Sequence, residues 1–257
     1  MRLTPTGVAP PTQALQGMDS ETINTVLELL VAPLQAALPQ PTEVVLHDLQ
    51  RIPNTVRAIA GDVTRRRIGD PPTDKLLERL AVGDYRHEIG YRSQLPDGRI
   101  LQSTTIIYTD RNGHAAAALC LNADVSAWVS VRTVMDRFVL GFDGTSAHPS
   151  SPDRDRPSPD GPRGTRDSEY FPHSVEELSA RLVDAAIASV GVPVIEMRKE
   201  QKIQVVAELE RRGFFLVKQA AESAAAALSV TRFTIYNYLN QISGTAEEIS
   251  DTAAETA

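Results

Sequence analysis

The stretch Ala225-Ala-Ala-Leu-Ser-Val-Thr-Arg-Phe-Thr-Ile-Tyr-Asn-Tyr-Leu-Asn240 predicts an alanine-rich helix, a three-residue turn and a second helix that begins at Thr231. The small Ala225 and Ala226 allow another helix to approach closely. Val230, Ile235 and Leu239 share one side, which would pack into a core. The early residues of the second helix then face outward, the position from which a helix-turn-helix reads base edges in the major groove.

The outward residues carry the chemistry that DNA requires. Threonine hydroxyls and a helix N-terminus suit phosphate oxygens. The guanidinium of Arg232 fits a guanine edge or a phosphate, and the amide of Asn237 fits adenine. The side chains predicted to contact DNA are Lys218, Thr231, Arg232, Phe233, Thr234, Tyr236 and Asn237. The alternative is a helical hairpin that binds nothing, since Ser229 stands where the turn usually has glycine.

Composition indicates a soluble globular protein. The chain has 257 residues, of which 42% are hydrophobic and 23% charged. No apolar run is long enough to span a membrane, and the N-terminus lacks the apolar core of a signal peptide. The single cysteine, Cys120, cannot form an internal disulfide. We therefore expect a cytoplasmic protein with no membrane partner.

The charge balance favours DNA binding only as a dimer. The whole chain carries a net charge of −7, yet residues 198–240 hold seven basic and four acidic side chains, a local charge of +3. Phosphate affinity depends on such a local patch. Because this patch is weak, we expect a homodimer on double-stranded DNA.

The N-terminal half predicts a sensor domain. Two short β-branched runs, Glu43–Asp48 and Thr55–Ile59, precede a helical middle and three long alternating runs joined by Pro96-Asp-Gly98 and Asp110-Arg-Asn-Gly113 turns. This order is PAS-like: an α+β fold with helices on an antiparallel sheet. The helix after Ser126 carries an apolar seam of Trp128, Val131, Met135, Phe138 and Phe142. That seam fits either a dimer helix or a helix folded back on its own sheet.

The distribution of proline and charged residues divides the chain into five segments. They are a disordered leader (1–18), the PAS-like sensor and dimerisation domain (19–142), a proline-rich flexible linker (143–169), an all-α helix-turn-helix domain (170–242) and a disordered tail (243–257). A linker of this kind transmits little mechanical force, so tight coupling through it is not expected.

Four motifs together resemble a known family. They are Glu43-Val-Val-Leu-His-Asp-Leu49, Gly69-Asp-Pro-Pro-Thr-Asp74, Leu119-Cys-Leu-Asn-Ala-Asp-Val-Ser126 and Leu228-Ser-Val-Thr-Arg-Phe-Thr-Ile-Tyr-Asn-Tyr-Leu239. In this order they resemble the YheO-like family of bacterial transcriptional regulators, which join a YheO-like PAS domain to a C-terminal helix-turn-helix. The resemblance implies a regulator whose effector is an amino acid or related metabolite.

Candidate effector contacts are His47, Asp70, Thr73 and Asn122. Three of them have a structural alternative: a hydrogen-bonded core residue for His47, a helix cap for Thr73 together with Asp74, and a turn for Asn122 together with Asp124. His47 and Asp48 are neighbours on a strand and point to opposite faces, so a catalytic dyad is not expected. We predict no catalytic site, cofactor or metal site, and Cys120 as a core residue.

Two functions remain open at this point. The first is a sequence-specific DNA-binding transcriptional regulator whose PAS-like domain senses a small molecule or mediates dimerisation. The second is a small-molecule-binding or enzymatic PAS-like protein whose C-terminal helices serve protein contacts only. A cluster of titratable side chains in the sensor cleft would favour the second, and salt-dependent DNA binding the first.

Overall fold

A five-stranded antiparallel sheet forms the N-terminal half of the protein. The structure is a computed structural model, and it describes residues 17–140 and 169–254. The N-terminal elements are α1 (Ser20–Ala37), β1 (Thr42–Asp48), β2 (Val56–Ala60), α2 (Asp74–Ala81), β3 (Glu88–Gln94), β4 (Ile100–Thr109), β5 (Ala115–Asp124) and α3 (Ser126–Leu140). The strands lie in the order β2-β1-β5-β4-β3. The predicted α+β architecture, with its early strand pair and later three-strand meander, is confirmed.

The two faces of the sheet are covered by different elements. Side chains alternate along a strand, so Val44 and Leu46 of β1 face one side while Val45 and His47 face the other. The first side, which we call the outer face, is buried by Ile23, Leu27 and Val31 of α1. The inner face packs against Leu76 of α2 and against the loop 61–73. Asp19 caps α1 by accepting a hydrogen bond from the Thr22 N–H at 2.9 Å.

A buried carboxylate holds the loop 61–73 on the inner face. Glu43 accepts hydrogen bonds from the backbone N–H groups of Val63 and Thr64, at 3.0 and 2.9 Å. The loop begins at Gly61, whose φ is +93°. A Cβ there would lie 2.4 Å from the Thr42 carbonyl oxygen, so only glycine permits this close approach.

The apolar seam of helix α3 is exposed in the described part of the chain. Trp128 is 70% exposed and Phe138 is 86% exposed, and Val131 and Met135 are more than half exposed. The seam is therefore not folded against the sheet of its own chain. Phe142, its last predicted member, lies outside the described residues.

Four helices and three short turns build the C-terminal half. The helices are α4 (Val175–Val190), α5 (Lys199–Arg211), α6 (Ala220–Ala227) and α7 (Arg232–Ala254). Ser174 caps α4 by accepting from the Glu177 N–H at 3.1 Å, and Gly191 ends it with a left-handed φ of +72°. The core contains large side chains of α4, α5 and α7 and of the residue that follows α6, whereas α6 itself contributes alanines. The large side chains include Leu178, Leu182, Leu209, Leu228 and Ile235. The predicted all-α helix-turn-helix region is confirmed.

The two halves share a packed contact that bypasses the linker. Leu77 of α2 is fully buried and belongs to the hydrophobic core of the C-terminal helices. Gly213, just after α5, lies so close that a Cβ would sit 2.7 Å from the Leu77 carbonyl oxygen. Arg211 also pairs with Glu78 of α2. The sequence predicts no tight coupling through the linker. The two halves are instead joined by this direct contact, which does not involve the linker.

The predicted leader and linker fall largely outside the described residues, whereas most of the predicted tail lies within them. Residues 1–16, 141–168 and 255–257 are not described. Within the described part, Glu169, placed at the end of the linker, is buried. Helix α7 also continues to Ala254, whereas the sequence predicts a disordered tail from residue 243. Alanine and glutamate dominate residues 246–254 and are strong helix formers, which accounts for this difference.

Candidate nucleic-acid interface and sensor pocket

A tight turn joins α6 to α7. Ser229 adopts a left-handed φ of +51°, the conformation for which glycine is usual. The Val230 N–H donates to the Ala225 carbonyl at 3.0 Å, and Lys202 Nζ donates to the Leu228 carbonyl at 2.9 Å. The serine therefore occupies the glycine position at some cost in strain, and hydrogen bonds from both sides hold the turn.

The N-terminal turns of α7 expose most of the predicted DNA contacts. Thr231 caps the helix by accepting from the Thr234 N–H at 3.2 Å. Ile235 and Tyr238 are buried on the inner side, which leaves the opposite side in solvent. Thr231, Arg232, Phe233, Tyr236 and Asn237 are exposed, and Thr234 is half-buried. Lys218, the remaining residue of the predicted set, is exposed just before α6 and not on α7.

An ion pair occupies the guanidinium of Arg232. Its Nη1 donates to Glu222 Oε1 of α6 at 2.6 Å. The hydrogen bond from Arg232 lowers the pKa of Glu222, so the carboxylate is ionised at neutral pH. Sequence reasoning missed Glu222, although its position one turn before the alanine run could have indicated it. The charge of the Arg232 guanidinium, the side chain best suited to a base edge, is thus balanced by Glu222 of the same chain.

The other basic residues of this segment divide between two surfaces. Arg211 and Arg212 both bond to Glu208, and Arg211 also reaches Glu78 of the sensor domain. These two cations therefore face the sensor domain. Arg198 and Lys199 are exposed at the start of α5 and form no ion pair in the part of the chain that the structure describes. One chain presents a modest positive surface.

His47 lies on the inner face of the sheet as a fully buried side chain. Its Nδ1 is 2.8 Å from Thr55 Oγ1, and its Nε2 is 3.5 Å from Arg66 Nη1. Burial and the charge of Arg66 lower the pKa of His47 well below its usual value, so the imidazole is neutral. This is the hydrogen-bonded core histidine of the structural alternative, adjoining a buried arginine.

Asn122 belongs to a chain of buried polar groups on the same face. The Ser103 hydroxyl donates to Asn122 Oδ1 at 3.0 Å, and Asn122 Nδ2 is 3.4 Å from Glu43 Oε1. Ser93 and Ser103 share a hydrogen bond of 2.8 Å. Asn122 lies within β5 and not in a turn, whereas Asp124 ends that strand and accepts a hydrogen bond from the Ser126 N–H at 3.0 Å.

Thr73 and Asp70 lie on the loop that covers this face. Thr73 caps α2 by accepting from the Leu76 N–H at 3.2 Å, as the structural alternative expected, and its hydroxyl also donates to Glu169 at 2.7 Å. Asp70 is half-buried, accepts from the Arg67 N–H at 2.8 Å and lies 3.8 Å from His173 Nδ1. Of the four predicted effector contacts, His47 and Asn122 line the inner face, Thr73 reaches it through Glu169, and Asp70 faces the start of α4.

Two residues that the sequence reasoning missed also pack against the inner face. We call the space between this face, the loop 61–73 and these two residues the sensor pocket. Glu169 and Phe171 enter the sensor domain from the C-terminal side and are 7% and 6% exposed. Phe171 packs with Val63, Leu95 and Leu101 and lies under the Arg66 guanidinium, 5.3 Å from its ring centre. The run Glu169-Tyr-Phe171, directly after a proline-rich segment, was the sequence signal that could have indicated these two residues.

The pocket offers no assembled catalytic pair among the described residues. The carboxylate of Asp48 accepts from the Gln50 N–H and pairs with Arg57, away from His47. Cys120 is buried as expected, and burial raises the pKa of its thiol to about 11. Across the ranges 17–140 and 169–254, no three histidine, cysteine or carboxylate side chains converge as a metal site would require. No helix in these ranges is long and apolar enough to cross a membrane.

Comparison with known proteins gives two family matches. Residues 18–140 match the YheO-like PAS domain, and residues 178–240 match an HTH domain. The uncharacterized protein YheO of Escherichia coli K12 is 26% identical over 218 residues, which are 83% of this chain and 82% of that protein. The transcriptional regulator DauR of Pseudomonas aeruginosa is 28% identical over 202 residues, 78% of this chain and 85% of that protein.

A further relative and one solved structure were also found. An uncharacterized protein of Haemophilus influenzae is 26% identical over 226 residues, 87% of this chain and 92% of that protein. A solved RNA-binding light-oxygen-voltage receptor covers 53% of this chain and 41% of its own, at 14% identity and a TM-score of 0.33. The fold described above rests on the strand pairing and the family matches, not on that structure.

Proposed function

Residues 18–140 belong to the YheO-like PAS domain family and residues 178–240 to the HTH domain family, and we propose that this chain is a sequence-specific DNA-binding transcriptional regulator. The name of its relative, transcriptional regulator DauR, supports the regulatory role. The protein acts in the cytoplasm on double-stranded DNA, without an enzymatic step of its own. Its two domains divide the work between sensing and DNA recognition.

The observation that carries the proposal is the division of α7 into two sides. Ile235 and Tyr238 fix the helix to the core, and Thr231, Arg232 and Asn237 are left in solvent at its N-terminal end. A recognition helix presents the same end to base edges in the major groove. Threonine and the helix N-terminus then bind phosphate, while Arg232 and Asn237 read bases.

The protein acts as a homodimer through the α3 seam. One chain has few unpaired cations near α7, so a single copy would bind DNA weakly. Trp128 and Phe138 stand exposed on the same helix, which a second copy of α3 would cover. Pairing places two recognition helices in successive major grooves, about 34 Å apart.

The sensor domain binds a small molecule on its inner sheet face. This face buries His47, Asn122 and Arg66 together with several hydroxyl groups, and such a polar set is costly unless it serves structure or a ligand. The contact of Leu77 with the C-terminal core gives a direct route from that face to α7. A change in the pocket can therefore alter how the recognition helices are held.

The experiment is a DNA-binding titration of the Arg232→Ala/Asn237→Ala variant on the best DNA site selected by the full-length protein. Loss of two base contacts should weaken specific binding at least roughly a hundredfold, with an unchanged circular dichroism spectrum. The matched control, Arg86→Ala/Asn112→Ala, removes the same two groups from exposed sensor positions and should bind normally. If both variants bound equally well, α7 would not be the recognition helix.

A further inference from the structure

The chain fills its own sensor pocket with the segment Glu169–Phe171, which we call the plug. Phe171 occupies an apolar space between Val63, Leu95 and Leu101. Glu169 is held beside it by the Thr73 hydroxyl at 2.7 Å. The backbone between them is fixed as well, because the Tyr170 N–H donates to Asp74 Oδ1 at 2.7 Å. An acid and an aromatic ring thus lie side by side between the inner face of the sheet and the loop 61–73.

The plug fits this pocket incompletely. Glu169 Oε2 is buried and has no hydrogen-bond partner among the described residues. A buried carboxylate with one free oxygen is costly, and a permanent core element would avoid it. Burial raises the pKa of Glu169. The Thr73 and Tyr91 hydroxyl groups and the charges of Lys75 and Arg66 oppose this shift without cancelling it. The pocket therefore holds its occupant at an energetic cost that another molecule could relieve.

A solvent-filled cleft leads directly to Glu169. It lies between α2, β3 and the end of α5, has a volume of about 790 Å³ and includes Glu169 and Tyr91 in its lining. Six basic side chains line it: Lys75, Arg79, Arg86, Arg92, Arg211 and Arg212. Five acidic side chains oppose them, one of which is Glu169. Glu208 also pairs with Arg211 and Arg212, so removing Glu169 would leave six basic groups against five acidic ones, a surplus of one positive charge that favours an anionic replacement.

The plug is also continuous with the DNA-binding domain. Two residues separate Phe171 from Ser174, the cap of α4. Tyr170 donates its hydroxyl to Glu177, and its ring lies 4.2 Å from the guanidinium carbon of Arg181, both on α4. The plug therefore links the sensor domain to the start of α4, and a molecule that expels the plug removes this link.

We propose that the sensor pocket binds a small carboxylic acid carrying an aromatic or similarly flat apolar group, and that this ligand replaces Glu169 and Phe171. Its carboxylate accepts from Thr73 Oγ1, and its flat group lies against the Arg66 guanidinium. This inference rests on the proposed sensing role of the PAS-like domain and specifies its ligand and its consequence. Ligand binding and release of α4 are one event.

The probe is 3-phenylpropionate, and its binding to the full-length chain is measured by calorimetry. The variant Glu169→Gln/Phe171→Ala weakens the plug and should bind the probe at least about tenfold more tightly than the wild type. The control Tyr170→Phe alters the same segment on its α4 side and should bind like the wild type. The neutral analogue 3-phenylpropionamide should bind the double variant at least about tenfold more weakly than the acid, since it lacks the charge.

The wild type supplies a second readout that needs no substitution. With saturating probe, the amides of Tyr170, Phe171 and His173 should exchange with solvent at least about tenfold faster. Unchanged exchange, or equal binding of acid and amide, would overturn the proposal. Neither readout contains DNA, so a failure of DNA binding would not affect this result, and loss of the plug would leave the DNA-binding role standing.

Discussion

Arg232 Nη1 of α7 donates to Glu222 Oε1 of α6 at 2.6 Å, so the cation that we propose reads bases is paired within its own helix-turn-helix. Both side chains are about half exposed or more, and DNA can compete for the guanidinium. The pair holds Arg232 in a defined position before DNA arrives, at the expense of part of its charge.

The variant Glu222→Gln should bind DNA more tightly than the wild type. It frees Arg232 and removes a carboxylate that repels phosphate, so we expect affinity to rise by roughly three- to tenfold at low salt. Fluorescence anisotropy with labelled duplex measures it. Glu200→Gln, an equal change of charge on the exposed start of α5, is the control. An equal gain in both variants would mean that the pair does not restrain Arg232.

A serine-to-glycine substitution should change stability in opposite directions at Ser229, in the turn, and at Ser223, in α6. Ser229→Gly should stabilise the protein by about 0.5 kcal/mol, since glycine adopts a φ of +51° without strain but also loosens the unfolded chain. Ser223→Gly, in the exposed interior of α6, should destabilise it by about 0.5–1 kcal/mol. Chemical denaturation of both variants decides the point. Destabilisation by Ser229→Gly would show that the serine side chain supports the turn.

The neighbours Leu76 and Leu77 test the coupling of the two domains. Leu77 is buried in the C-terminal core, whereas Leu76 is buried in the sensor core. Either change to alanine should cost about 2–5 kcal/mol. Only Leu77→Ala should split thermal unfolding into two transitions in calorimetry, because it removes the shared contact. A single transition in both variants would contradict coupling through Leu77.

The exposed seam of α3 predicts how the dimer can be broken. Val131→Glu/Met135→Glu places two charges in the proposed interface, so sedimentation should show monomers and DNA affinity should fall at least about tenfold. Thr133→Glu lies on the opposite side of the same helix and should remain dimeric. If the wild type itself sedimented as a monomer, the proposed α3 dimer interface would be wrong.

The sequence predicted the elements better than the contacts between them. The alternating runs and the turn residues indicated the two early strands and the three-strand meander, and the spacing of Val230, Ile235 and Leu239 indicated the buried side of α7. Glu169, Phe171 and Leu77 were missed because their role depends on two distant segments meeting in space. The periodicity of the local sequence does not indicate such a contact. The proline-rich linker between the segments indicated instead that the two domains are independent. Glu222 was missed for a related reason, since its partner lies across a turn.

The most direct test of the central claim is selection of genomic DNA by the purified full-length protein, followed by a salt titration on the best site. We expect one enriched, nearly palindromic site with half-sites about 34 Å apart, bound with a strong dependence on salt. Absence of any enriched sequence, with only weak and sequence-independent binding at low salt, would contradict the role of α7 as a recognition helix.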